Sequence, residues 1–536
     1  METNEPPYEI DVLVVGAGIT GIYQLYRARE AGFTAALVEA GHGVGGTWFW
    51  NRYPGARFDS ESYTYGYLFS EELFDEWEWQ EHFAAQPEIE RYLNHVVDRF
   101  DLRRAMHFGS RVVAATFDEA ARRWLVSLAD GTRYDVRFLI AATGVLSIPF
   151  FPAVEGRDDF GGESVHTGRW PLDGVDFSDK RVAIVGTGSS GVQLVPVIAD
   201  EVASLTVYQR SPNWCTPLNN APITAEEQAW LRAEFESIRE TLNTSIAGFL
   251  HEANEKSAWD DSEDERQAFY ETMWNSPGFT KLTSHYKDIL FDPEANAEWC
   301  DFIAAKVRAV VDDPAVADRL IPKDHRYGEK RPPFVNGYYE AFNNPKVWLV
   351  DLTTTPMTRI TETGIDTSEA SSNFDIIVWA TGFDFGTGAL NRMGIKGRGG
   401  VALEDRWADG PVTFLGVQTA GFPNLFFPGG PHAAAGNNPR YNGDQVDFIT
   451  DLLVHARTRG DDLVEVDIAA QDEWTGMVDR WAKHSSFGTS SYYFGTNVPG
   501  KPQRFLLNSG GRPKLFSTIA DVVDDDYRVF RPSPPE

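Results

Sequence analysis

Two copies of one short pattern constrain this chain more than anything else in it. Gly16-Ala17-Gly18-Ile19-Thr20-Gly21 and Gly186-Thr187-Gly188-Ser189-Ser190-Gly191 both read G-x-G-x-x-G. Glycines at that spacing allow a tight turn from a strand into a helix. They also let the backbone come close to a pyrophosphate at the helix N-terminus. An apolar run precedes each turn, EIDVLVV at 9–15 and RVAIVG at 181–186, and a helical pattern follows each. The first unit continues into the strand AALV, which ends at Glu39, roughly 20 residues past the first glycine, where an acid would hold ribose hydroxyls. In the second unit the strand SLTVYQR ends at Gln209-Arg210, with Ser211 next. A glutamate there would repel a 2′-phosphate, whereas Arg210 would pair with it, so the second site is expected to prefer NADPH to NADH.

Each unit later closes with a strand ending in A-T-G, at Ala142-Thr143-Gly144 and Ala380-Thr381-Gly382. The expected fold class is therefore α/β, with two Rossmann-like dinucleotide-binding domains, one for FAD and one for NADP, and a helical insertion. The expected division is 1–147 and 385–536 for the FAD domain, 148–219 and 326–384 for the NADP domain, and 220–325 for the insertion. The insertion carries two capping boxes, Thr224 to Glu227 and Ser262 to Glu265. Leu231, Phe235, Ile238 and Leu242 then keep helical spacing. No chemistry is read in it. A further helix is expected from Gly337 to Phe342, and Asp130-Gly131 is expected to turn a hairpin.

Composition narrows the function classes. With 48 basic and 79 acidic residues the net charge is −31, which speaks against a nucleic-acid partner. No apolar run approaches the roughly 18–20 residues of a membrane span. The start, METNEPPYEI, lacks the sections of a signal peptide. Two cysteines, Cys215 and Cys300, form no C-x-x-C pair and no zinc spacing. That argues against a disulfide reductase and a metal site, and for a reducing, cytoplasmic setting. Nothing in the pattern signals a partner chain, and a monomer is compatible with it.

Two longer motifs add chemistry. The first is Gly46-Thr47-Trp48, then Tyr53-Pro54-Gly55, then Asp59; the second is Phe160-x-Gly162-x-x-x-His166-x-x-x-Trp170-Pro171. Core packing would explain any one of these aromatics, but in this order they resemble the fingerprints of the Baeyer–Villiger monooxygenases. That resemblance implies FAD and NADPH as cofactors, O2 as co-substrate and a small-molecule ketone as substrate. The product is then an ester or lactone, formed through a flavin C4a-peroxide kept anionic by an arginine and by bound NADP+. It implies that the loop with Gly46, Thr47, Trp48 and Tyr65 lies beside the flavin, and that Asp59 orients the catalytic arginine.

The run IPKDHRYGEKRPPF at 321–334 resembles the segment supplying that arginine, which makes Arg331 the expected catalytic cation and Lys330 a ligand of the 2′-phosphate. Asn344 departs from the family, where arginine is expected. His166 is grouped with the catalytic residues, in a conformational role that couples NADP(H) to domain closure. The tail YYFGTNVPGK at 492–501 resembles the family's active-site loop, although Tyr492 stands where tryptophan is expected. Tyr492 and His432 are the expected substrate-pocket residues. The small residues of HAAAGNNPRYNGD at 432–444 suggest room for a bulky cyclic ketone, and a simple turn explains them equally. Two other functions fit the nucleotide sites: a flavin monooxygenase acting on nitrogen or sulfur, and a non-catalytic NADPH-binding regulator.

Overall fold

Apolar runs that lead into nucleotide-binding turns must be covered on both faces, and two sheets, one mixed and one all parallel, achieve this here. The computed structural model describes residues 6–433 and 435–531. Residues 1–5 of the N-terminal reading and Ala434 of the 432–444 segment lie outside the described residues.

The first sheet is built from β1 (Tyr8–Val15), β2 (Ala35–Val38), β3 (Met106–His107), β4 (Val112–Asp118), β5 (Arg123–Leu128) and β6 (Arg133–Ala141). The second takes β7 (Glu163–His166), β8 (Arg181–Val185), β9 (Ser204–Gln209) and β10 (Val347–Asp351). Three short strands, β11 (Met357–Thr361), β12 (Gly364–Thr367) and β13 (Ser371–Asn373), make an antiparallel sheet of their own. After them β14 (Ile376–Trp379) joins the second sheet, and β15 (Ile395–Lys396) and β16 (Leu425–Phe426) return to the first.

The first sheet runs β15-β4-β5-β6-β1-β2-β3, with β16 also on β6, and the second runs β10-β9-β8-β14-β7. In the first, β1 lies parallel between β2 and β6, and in the second β8 lies parallel between β9 and β14. Each glycine turn thus follows a central strand, and each A-T-G follows that strand's neighbour. The central strands are closed to solvent: Val12, Leu13, Val14, Val182, Ala183 and Ile184 are 0% exposed. Gly131 sits at φ +93 between β5 and β6, so Asp130-Gly131 turns the expected hairpin.

Three features differ from the sequence reading. The segment with His166, for which no strand is read in the sequence, is one: β7 pairs in parallel with β14, placing His166 opposite Trp379. The helix expected at Gly337–Phe342 is only a 3-10 turn, Glu340–Asn343, since Gly337 sits at φ +84 and cannot start a helix. The Leu231–Leu242 face is carried by two helices, Ala225–Ala233 and Phe235–Thr244, both capping boxes of the region being formed. Leu231, Phe235, Ile238 and Leu242 cluster with Leu68 from the first sheet's side. Tyr270, Trp299, Ile303 and Val307 share one core with Val182, Ile184 and Val207. The insertion is therefore packed onto both nucleotide-binding parts.

Candidate active site

The two glycine turns open on a single cavity of about 1690 Å³. Both are built alike. Gly16 and Gly186 sit at φ +109, and a Cβ on either would stand 2.5 Å from the carbonyl of Ala142 or Ala380. Only glycine lets the turn pack on the A-T-G strand end. A Cβ on Gly21 or Gly191 would strike the Gly16 or Gly186 carbonyl oxygen at 1.9 or 2.2 Å. These third glycines thus hold helix to strand and do not line the cavity. Gly18 and Gly188 face it, and a Cβ on Gly188 would meet nothing within 4 Å. The helices that follow, Ile19–Glu30 and Ser189–Ile198, have no side-chain cap, so their first-turn N–H groups are left for a ligand. An open cradle above uncapped N–H groups fits a pyrophosphate at each turn.

The specificity residues are in place at both. Glu39 lines the cavity and accepts from the N–H groups of Ala17 (2.8 Å) and Gly41 (2.6 Å), which leaves lone pairs for ribose hydroxyls. In the second unit Arg210, Ser211 and Lys330 line the cavity together. Lys330 Nζ donates to Ser211 Oγ at 2.9 Å and lies 3.4 Å from Asp324, while Thr187 Oγ1 donates to the Ser211 carbonyl at 3.0 Å. Two cations and a hydroxyl at the end of β9 suit a 2′-phosphate.

Residues 45–59 bridge the two units. A Cβ on Gly46 would lie 2.7 Å from Gly18 Cα, so this loop rests on the first turn. Trp48 Nε1 donates to Tyr65 OH at 3.1 Å. Tyr53 OH donates to Gln193 Oε1 (2.8 Å) in the helix after the second turn, and burial pushes the Tyr53 hydroxyl up to about 12. The loop ends at Asp59, whose two oxygens lie 2.6 and 2.7 Å from Arg331 Nη2. Arg331 also lies over the Phe279 ring at 5.1 Å and lines the cavity. Burial opposes its charge, but attraction to Asp59, with Tyr493 and Tyr492 adding to it, holds the guanidinium above its ordinary range. A permanent cation is thus fixed beside two nucleotide sites.

The chain is similar to known proteins over almost its whole length. A family model described as pyridine nucleotide-disulphide oxidoreductase matches residues 13–267. The 2-oxo-Δ3-4,5,5-trimethylcyclopentenylacetyl-CoA monooxygenase of Pseudomonas putida is 43% identical, over 97% of this chain and 98% of its own. The phenazine N-monooxygenase PhzNO1 of Lysobacter antibioticus is 38% identical over 97% of this chain and 96% of its own. A Baeyer–Villiger monooxygenase of Pseudooceanicola batsensis (strain ATCC BAA-863 / DSM 15984 / KCTC 12145 / HTCC2597) is 36% identical over 97% of this chain and 95% of its own. This chain belongs to the Baeyer–Villiger monooxygenase family. A solved structure of OTEMO in complex with FAD and NADP matches with a TM-score of 0.94 at 40% identity, covering 98% of this chain and 100% of that one. The protein is thus an FAD- and NADPH-dependent monooxygenase with the family fold. Its two cysteines are free, so the disulfide chemistry in the matching model's description has no residues here.

Within this monooxygenase most of the expected site residues meet at the cavity. Gly16, Gly18, Glu39, Gly46, Thr47, Trp48, Asp59, Tyr65, Gly186, Thr187, Gly188, Ser189, Ser190, Arg210, Ser211, Lys330, Arg331, Ala380, Thr381, Gly382 and Tyr492 all line it. Two expectations need correction. His432 is 0% exposed and lies behind the wall, its Nδ1 paired with Thr413 Oγ1 (2.9 Å) and its Nε2 with the Phe505 carbonyl (3.1 Å). Burial pushes its imidazole down to about 4, and it packs the interior rather than the substrate pocket. His166 is also outside the lining. The pairing of β7 with β14 turns it inward, where its ring meets Phe151 and Phe383 at 5.0 and 5.7 Å and Nδ1 accepts from the Gly168 N–H at 2.9 Å. Burial lowers its pKa to about 4.

The sequence reading missed the insertion's part in the site. Ala247, Phe249, Phe279, Leu282 and Thr283 all line the cavity. They come from the stretch after the helix Phe235–Thr244 and from the single turn Thr280–Thr283 with the residue before it, all too short for periodicity to carry a signal. Arg169, inside the second motif, was also unassigned. It lies over the Trp50 ring at 4.4 Å, donates to the Gly168 carbonyl at 2.6 Å, and burial lowers it to about 10.

Proposed function

We propose that this enzyme inserts one oxygen atom of O2 beside the carbonyl of a cyclic ketone, giving a lactone or ester. The balance is ketone, O2, NADPH and a proton going to ester, NADP+ and water. When bound, the flavin supplies electrons from NADPH to O2 and presents the activated oxygen to the ketone.

The chain's own residues perform the rest. The uncapped helices after Gly18 and Gly188 hold the two pyrophosphates, and Glu39 holds a ribose. Arg210, Ser211 and Lys330 hold the 2′-phosphate. Tyr53 and Gln193 tie the two sites together. Arg331, positioned by Asp59, keeps the attacking oxygen deprotonated and then neutralises the oxyanion that forms at the substrate carbonyl. Tyr492 and Tyr493, with rings 4.3 Å apart, close the cavity above Arg331 and keep water from it. His166 links the strand β7 to Phe383 through its ring contact and acts on conformation, coupling NADP(H) to domain closure. A reducing, cytoplasmic setting is part of this reading.

The observation that carries the proposal is the Asp59–Arg331 pair opening on the cavity that both glycine turns share. The test is NADPH consumption with product and H2O2 followed together, on cyclic and aryl ketones beside a thioether and an amine. NADPH use matched by lactone or ester, and lost in Arg331→Ala, is expected. Product confined to the thioether and amine would overturn it in favour of heteroatom oxidation. That second reading has one specific support, the similarity to a phenazine N-monooxygenase.

A further inference from the structure

The stoichiometry above consumes one proton per turnover in a cavity that has to keep water from the reacting oxygen, so the proton needs a defined way in. A part-buried polar chain ends on the cavity wall at Thr283. His251 Nδ1 lies 2.7 Å from Thr283 Oγ1, and His251 Nε2 lies 2.5 Å from Glu61 Oε1. Glu61 is 6% exposed and stands two residues after Asp59. The three residues come from distant places: Glu61 from the flavin side, His251 and Thr283 from separate segments of the insertion.

The hydrogen-bond geometry accepts a proton and gives it back without loss of a partner. Thr283 Oγ1 is also 3.0 Å from the Phe279 carbonyl. With His251 charged, Nδ1–H donates to Thr283 Oγ1 and the Thr283 hydroxyl donates to the Phe279 carbonyl. With His251 neutral, Nε2–H still donates to Glu61, and the Thr283 hydroxyl turns to donate to Nδ1. A fixed carboxylate, a ring and a rotating hydroxyl are thus satisfied in both states. The second Glu61 oxygen is buried with no hydrogen-bond partner among the described residues.

The surroundings isolate the chain. The Phe249 ring stacks on His251 at 5.4 Å and on Phe279 at 5.1 Å, sheathing the ring in apolar surface. Lys281, on the same short helix as Thr283, turns away to the Ser276 carbonyl and the Phe334 ring, and burial lowers its ammonium to about 7. Tyr63 lies beside Glu61, with His82 and Glu227 beyond it, and Glu252 next to His251 is exposed. Asp59 and Arg331 are engaged with each other.

We propose that Glu61, His251 and Thr283 form a proton relay that supplies the proton consumed in each turnover. His251 passes its Nδ1 proton to Thr283 Oγ1, Thr283 releases its hydroxyl proton to the oxygen leaving as water, and His251, whose side chain keeps 9% exposure, takes its next proton from solvent while Nε2–H stays bonded to Glu61. The relay rests on the oxygenase reading, but oxidation of a ketone, an amine or a thioether makes the same demand for a proton.

The test is a single turnover with the holoenzyme. NADPH-reduced enzyme is mixed with O2 and a cyclic ketone that it converts, and the return of the oxidised flavin spectrum is timed from about pH 6 to about pH 9. In Thr283→Val and His251→Gln the return is expected to slow by about 10- to 100-fold, more at high pH. Reduction by NADPH and substrate KM stay as in the parent. Thr283→Ser, which keeps the hydroxyl, restores the rate to within about threefold, and imidazole buffer speeds the valine variant by about threefold or more. A valine variant as fast as the parent, or valine and serine variants equally slow, would overturn the relay. If His251→Gln does not fold, the threonine pair decides alone. Failure of the ketone reading would show differently, as a normal spectral return in the parent enzyme without ester from any ketone.

Discussion

Replacing Asp59 by asparagine tests whether Arg331 acts as a positioned cation or merely as a nearby one. Asparagine keeps the shape and one acceptor but removes the charge that faces Arg331 Nη2 at 2.6 and 2.7 Å. A hydrogen bond to a charged group contributes about 1.5–3 kcal/mol. One of the two contacts survives in neutral form, and Arg331 keeps 27% of its side chain exposed, so solvent recovers part of the loss. An effect of about 1–2 kcal/mol on the transition state remains, which is about 5- to 30-fold in kcat. Flavin content and NADPH affinity should not change, because Asp59 touches neither glycine turn. The assay follows NADPH, product and H2O2 together. Slower oxygenation with more NADPH diverted to H2O2 is expected, since the attacking oxygen then lacks a well-placed cation. A variant with parental rate and parental coupling would refute the reasoning, as would one whose whole defect is lost flavin.

Gly188→Ala is expected to raise the KM for NADPH by at least about tenfold while leaving the melting temperature unchanged. The residue has an ordinary φ of −78 and open space around it, so a methyl costs nothing until pyrophosphate needs the room. Arg210→Ala should weaken NADPH by about 10- to 100-fold and barely alter NADH, measured as the ratio of the two kcat/KM values. His432 is held neutral by burial, with its pKa down to about 4 against an ordinary 6.5. The unfolded chain therefore binds a proton in that window that the folded chain refuses, and stability falls as pH drops from about 6.5 to about 4, by about 3 kcal/mol for this ring. Thermal melting across that range should show the fall, and His432→Gln should make it shallower, with His166, also lowered to about 4 by burial, keeping its share.

Much of the nucleotide-binding framework was legible because its causes are local. A glycine at φ +109, an uncapped helix and an acid or arginine at the end of the next strand are set by neighbours in the chain, so spacing alone reveals them. The same holds for the capping boxes at Thr224 and Ser262, whose partners lie three residues away. Where a local signal misled, tertiary packing had overruled it. The 337–342 segment has the residues of a helix, but Gly337 is used for a turn.

What decides the chemistry is not local. Asp59 and Arg331 are 272 residues apart, and only resemblance to a family linked them in advance. His166 and His432 both look available in sequence, yet strand pairing and packing withdraw them from the cavity. Glu61 and His251 are 190 residues apart, and no pattern joins them. The sequence by itself determined two dinucleotide-binding units, their order and the preference for a 2′-phosphate, since each rests on backbone geometry and charge within one βα unit. Tertiary structure alone decided which side chains face the shared cavity, because folding the insertion across both units brings together groups that chain distance keeps apart.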